Sequence, residues 1–292
     1  MTRRVQTPLA AWLVSALLVL GGIGSLYYLK GSTENQYRSA FIEAQRLRLN
    51  ALQERLDGPL IVALGNSLLR QASSSVEITS GKPWLRVVNH RNPNLIALWP
   101  LLRQNRPALL IVQLELLMPK QSLSENNINT LPGDLLHLAP QLLSDNITDQ
   151  STYNTLINNV IESQQRNECR PAHNWERVAR KLAKNRDTRY QTLSTDTDML
   201  AAIREASRFS DHVLLLDVPR SGNAERLLGE HQIRWHEFQI AQFNDLPNVH
   251  FARLGTPLAD DCYCDYRHVL PQCQSQLEAP LATIIEGIVH SS

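Results

Sequence analysis

Apolar positions along this chain fall into three patterns, and each predicts a different kind of element. The first is an unbroken block. Pro8 to Leu29 carries no charge and is dominated by Leu, Ala, Val, Gly and Ile, long enough as a helix to span a hydrocarbon core of about 30 Å. Arg3 and Arg4 precede it, so the positive-inside rule keeps the first residues cytoplasmic and sends residues 31–292 across the membrane. The block exceeds the apolar core of about 7 to 15 residues typical of a signal peptide, and no clean small-x-small site follows it, which favours an anchor over a cleaved leader. The sequence thus predicts a cytoplasmic tip and single transmembrane anchor over residues 1–30, with the main domain in the periplasm.

The second pattern is helical. Between many charges, Phe41, Ile42, Leu47, Leu49, Leu52 and Leu56 recur at helix-like spacing, and Gly58-Pro59 ends the run. An amphipathic linker helix is expected within residues 31–58, its apolar stripe packed onto the domain that follows or offered as a docking surface to a membrane partner.

The third pattern alternates short apolar runs with amphipathic stretches. Leu60 to Leu64, Leu85 to Val88, Ala108 to Leu117, Val213 to Val218 and Val249 to Leu254 read as buried strands. Helices are expected over Asn94 to Gln104, Thr197 to Phe209, Ala224 to Phe243 and Gln274 to Val289. Strands alternating with helices imply an α/β domain, a three-layer parallel sheet covered on both faces, over residues 59–292. Its ligands belong at the carboxyl ends of the strands. Residues 118–196 interrupt the alternation with a polar insertion rich in Asn, Gln, Ser and Asp, with short helical stretches at Asp134 to Leu143 and Thr152 to Gln165. So long an excursion in a compact domain reads as a lid or cap, with His173 and Trp175 as substrate contacts, or as a surface decoration with no ligand role.

Composition narrows the function classes. With 29 basic and 28 acidic residues, net charge +1, and the basic residues scattered, nothing favours a nucleic acid partner. Four cysteines, Cys169, Cys262, Cys264 and Cys273, suit an oxidising compartment. Cys262 and Cys264 are too close to pair with each other without strain, so one is expected to join Cys273 and the other Cys169. A metal centre of Cys262, Cys264, Cys273 and His268 does not match the common zinc spacings. No metal and no cofactor are expected.

The chemistry concentrates at two places. Gly65 and Asn66 are turn residues after the first strand, and Ser67 opens a helical segment, which puts a hydroxyl at the carboxyl edge of the sheet beside unpaired helix N–H groups. Two hundred residues later Asp265 precedes His268 by three positions, a spacing at which a carboxylate can orient an imidazole that takes the serine proton. A serine in this place can also do no more than cap the helix.

Gly65-Asn66-Ser67 after the first strand, with Asp265-Tyr266-Arg267-His268 near the C-terminus, resembles the SGNH/GDSL hydrolases. The resemblance implies a flavodoxin-like three-layer fold, with Ser67 as nucleophile, His268 as general base and acid, and Asp265 as its orienting carboxylate. Two further oxyanion donors are expected in that family. The Gly-x-Asn-Asp block has no counterpart, since Glu115, Leu116 and Leu117 stand there. For the other block Asn89, or Arg91 beside it, is the nearest candidate, leaving an oxyanion hole of the Ser67 N–H and Asn89. Membrane-anchored SGNH-like proteins of cell-envelope acylation systems depart in a similar way. The resemblance therefore implies a periplasmic serine acyltransferase or acylesterase, anchored in the inner membrane, working on O-acyl groups of an envelope or exported polysaccharide. Its implied partner is a multi-span membrane O-acyltransferase. The alternative is a non-catalytic SGNH-like glycan-binding or scaffold subunit of a polysaccharide assembly complex.

Overall fold

The computed structural model describes residues 35, 38–54, 58–72, 83–88, 92–119, 190–264 and 268–290. The chain divides into two compact units, residues 1–46 and 47–292. The first is described only at 35 and 38–46, which are helical, with Arg46 paired to Glu43 one turn before it at 2.5 Å. The expected membrane anchor lies outside the described residues. No helix among the described residues is long and apolar enough to cross a membrane.

The second unit is built on five strands: β1 (Ile61–Gly65), β2 (Trp84–Val88), β3 (Leu109–Gln113), β4 (His212–Asp217) and β5 (Val249–Arg253). All neighbours pair in parallel, in the order β2-β1-β3-β4-β5. The central strands are continuous apolar runs because both faces are covered. Ile61, Ala63, Leu109, Ile111, Leu214 and Leu216 face one core cluster, and the alternate residues Val62, Leu64, Leu110, Val112, Val213 and Leu215 are equally buried. The α/β class and the parallel sheet expected from the sequence are thus observed.

Helix α1 (Ser67–Ala72) follows β1 directly, and the chain closes with α6 (Ser275–Val289). Leu68, Leu69 and Ala72 of α1 share the first cluster with Leu277, Leu281 and Ile285 of α6. Between β2 and β3 run α2 (Asn92–Ile96) and α3 (Trp99–Asn105); α4 (Thr197–Ala206) precedes β4, and α5 (Gly222–Ala241) precedes β5. The Trp99 indole donates to the Ala202 carbonyl at 2.7 Å, joining α3 to α4.

Three boundaries differ from the sequence expectation for identifiable reasons. The single helix expected over Asn94 to Gln104 is two, because Pro93 and Pro100 each start a helix; proline fits a first turn and not an interior. The strand expected to reach Leu117 stops at Gln113 and continues as a 3₁₀ turn, Leu114–Leu117. Its last pairing with β1 is Leu64 to Val112, and its last residue, Gln113, pairs with Leu216 of β4. Helix α5 is interrupted at Gly229, whose φ of 50° is one that glycine adopts without steric cost.

The polar insertion leaves and re-enters the domain at one place. The Asp196 N–H donates to the Leu117 carbonyl at 2.8 Å, and the Asp196 side chain caps α4 by accepting from the Met199 N–H at 3.0 Å. Residues 120–189, with His173, Trp175, Cys169 and both expected short helices, lie outside the described residues.

Candidate active site

In the strand order 2-1-3-4-5, chain direction across the sheet reverses between β1 and β3, and the crevice outside the carboxyl ends at such a reversal is where doubly wound sheets bind ligands. Gly65, Asn66 and Ser67 stand at the end of β1, at that reversal.

Local packing explains why the turn has this composition. A Cβ on Gly65 would lie 2.6 Å from Leu69 Cβ and 2.8 Å from Gln113 Oε1, so only glycine lets α1 start so close to the strand it leaves. Asn66 caps the helix: its Oδ1 accepts from the Leu68 N–H at 2.9 Å. Ser67 is therefore the first residue of α1 and not its cap, and the turn does not need a serine for capping. The Asn66 N–H donates to Gln113 Oε1 at 2.9 Å. The N–H groups on either side of Ser67 are thus both held by side-chain acceptors.

The described residues on either side of positions 265–267 are tied together. Tyr263 bridges Val269 in antiparallel fashion, the Cys264 N–H donates to the His268 carbonyl at 2.9 Å, and the Leu270 N–H donates to the Cys262 carbonyl at 2.7 Å. A disulfide joins Cys262 to Cys273, with Cα atoms 5.6 Å apart. Of the two pairings left open by the sequence, Cys262 is the partner of Cys273. Cys264 is also disulfide-bonded, and Cys169 lies outside the described residues, as do Asp265 and Asn89. His268 is half-buried.

One apolar cluster holds a neighbour of Ser67 and a neighbour of His268. Leu68, next to Ser67, and Val269, next to His268, are both buried in it, together with Tyr263, Cys262 and Cys273.

Sequence reasoning missed the polar network behind this turn. Glu115, noted only as a replacement for an expected asparagine, forms an ion pair with Arg220, and the two side chains are 8% and 1% exposed. Glu115 Oε2 also accepts from Gln113 Nε2 at 3.2 Å and from Asn66 Nδ2 at 3.4 Å. The Arg220 guanidinium lies 5.9 Å from the centre of the buried Tyr190 ring. The position of Arg220, just beyond Pro219 at the end of a predicted strand, was the one signal available.

Beside it stands a second buried pair. Asp217 ends β4, and burial pushes its carboxyl up to about 6; the Arg253 cation opposes this and the Glu225 carboxylate adds to it. His236 is pushed down to about 3 by burial and then by the cations of Arg220 and Arg253. The imidazole is therefore neutral at pH 7. Its Nδ1 lies 3.7 Å from Asp217 Oδ2, too far for a hydrogen bond, so the contact is not an ion pair at that pH. Arg253 Nε is likewise 3.7 Å from Asp217. Among the described residues neither Asp217 oxygen has a hydrogen-bond partner, and no group of three or more potential metal ligands is present.

No family model matches the chain. No curated protein is similar to it.

Proposed function

We propose that this chain is an SGNH-like serine acyltransferase or acylesterase, anchored in the inner membrane with its catalytic domain in the periplasm, acting on O-acyl groups of an envelope or exported polysaccharide. The observation that carries the reading is the place of the Gly65-Asn66-Ser67 turn: the carboxyl end of β1 at the reversal of strand order, with Asn66 capping the helix in place of Ser67. The shared apolar cluster that holds Leu68 and Val269 supports the pairing of Ser67 with His268.

In this reading Ser67 Oγ attacks the acyl carbonyl while His268 takes its proton, and Asp265 holds the imidazole in the required tautomer. The Ser67 N–H and Asn89 stabilise the oxyanion. Collapse of the tetrahedral adduct expels the donor oxygen, which takes the proton back from His268, and leaves an acyl ester on Ser67. A sugar hydroxyl or water then gives its proton to His268, attacks that ester and regenerates Ser67. The multi-span O-acyltransferase is the proposed source of acyl groups, and no metal or cofactor enters.

A second reading, a non-catalytic glycan-binding or scaffold subunit, is favoured by one observation. The end of β3, where the family places an oxyanion asparagine, is filled by the Glu115–Arg220 pair. The two separate in cells: Ser67→Ala, at unchanged protein level, abolishes acyl transfer or release on the exported polysaccharide under the catalytic reading. Under the scaffold reading acylation is unchanged.

A further inference from the structure

The carboxylate of Glu115 is the one group in the β1–β3 network that can only accept hydrogen bonds, and this fixes the orientation of both amides that touch it. Gln113 must turn its Nε2 toward Glu115 (3.2 Å), which leaves Oε1 facing the Asn66 N–H (2.9 Å). Asn66 must turn its Nδ2 toward the same oxygen (3.4 Å), which leaves Oδ1 facing the Leu68 N–H (2.9 Å). The N–H groups on either side of Ser67 are therefore held by acceptors whose direction one carboxylate sets. A neutral side chain at position 115 offers both a donor and an acceptor and imposes no direction. The other oxygen of Glu115 pairs with Arg220, and in so buried a place each charge needs such a partner. The chain of contacts runs from the loop after β4 to the end of β3 and on to the end of β1, across three adjacent strands.

We propose that the buried Glu115–Arg220 ion pair is the positioning unit for Ser67: acting through Gln113 and Asn66, it locks the backbone of the turn that presents the nucleophile and its N–H. The proposal rests on the serine acyl-transfer reading. It gives the departure from the family pattern a physical role, since the residue that replaces an oxyanion donor organises the turn bearing the remaining one. Glu115 and Arg220 touch neither substrate nor reacting atoms and are positioning residues.

Asn66→Asp tests this with an almost isosteric change. The substitution keeps the cap on the Leu68 N–H but sets a second acceptor-only group against Glu115, so the turn is pushed off its position. Glu115→Gln removes the carboxylate and its pairing with Arg220, and the double variant tests whether Asn66 and Glu115 act through one network. The readout is the rate at which a fluorophosphonate ester labels Ser67 in the detergent-solubilised full chain, with thermal unfolding of each variant alongside. Asn66→Asp and Glu115→Gln are each expected to slow labelling at least tenfold while the protein stays folded, and the double variant is expected to be no slower than the slower of the two single ones. Two independent structural defects would instead multiply. Labelling of either single variant at the unmodified rate, or losses that multiply in the double variant, overturns the positioning role and leaves the catalytic reading standing. An unmodified protein that does not label at all overturns both.

Discussion

The backbone N–H of Asn66 donates to the side-chain oxygen of Gln113 at 2.9 Å, tying the end of β1 to the end of β3 where the strand order reverses. This bond and the start of α1 leave no room for a side chain at Gly65. A methyl group there would meet Leu69 at 2.6 Å and the Gln113 oxygen at 2.8 Å. Gly65→Ala is therefore expected to cost about 1 to 3 kcal/mol, the usual range for overpacking, and to slow fluorophosphonate labelling by moving the turn. Thermal unfolding and labelling rates check it. A variant equal to the parent in both would show that the turn is not confined as described.

The Cys262–Cys273 disulfide closes a short loop around His268. Replacing both cysteines with serine is expected to destabilise the domain by roughly 3 kcal/mol through the freed loop entropy of the unfolded chain. A larger fractional effect is expected on labelling, because the hairpin presenting His268 loses a fastening. Denaturant unfolding and labelling of the double variant measure the two. Full labelling with lowered stability would confine the bridge to a stabilising role.

Asp217 makes a pH-dependent forecast. Its folded carboxyl lies at about 6, above the ordinary 3.8, because of burial, so the folded state holds the proton more tightly than the unfolded one. Its contribution to stability is full below about pH 4 and lost as pH rises through about 6. His236, pushed down to about 3 from 6.5, runs the other way: its contribution is full above about pH 6.5 and lost as pH falls towards 3. Between these limits the two slopes oppose each other. Asp217→Asn removes one of them, and is expected to be more favourable at pH 8 than at pH 4 by roughly 2 to 3 kcal/mol. Denaturant unfolding at both pH values checks this. An effect of equal size at both would mean that the carboxyl titrates alike in folded and unfolded protein.

Much of the domain was legible because its information is local. The runs Leu60 to Leu64 and Val213 to Val218 are strands because apolar continuity is what a doubly covered parallel strand needs, and Gly65-Asn66 marked the turn. The 3₁₀ turn Leu114–Leu117 was not legible, because Leu114, Leu116 and Leu117 are as apolar as the strand before them and the end of pairing with β1 and β4 depends on residues distant in sequence. The Glu115–Arg220 pair was hidden for a related reason. Its two residues are far apart in sequence, each is ordinary on a surface, and only the sheet order brings them together in a buried place. The pairing of Cys262 rather than Cys264 with Cys273 depends on the register of the Tyr263–Val269 hairpin, which spacing alone does not fix.

The central claim is that Ser67 is a nucleophile activated by His268. The most direct test is peptide-level mass spectrometry of the full chain after reaction with a fluorophosphonate ester, comparing the unmodified protein with folded His268→Ala. The account predicts one phosphonylated residue, Ser67, in the unmodified protein and at least a hundredfold slower modification in the variant. An unmodified Ser67, or equal labelling with and without His268, would contradict it.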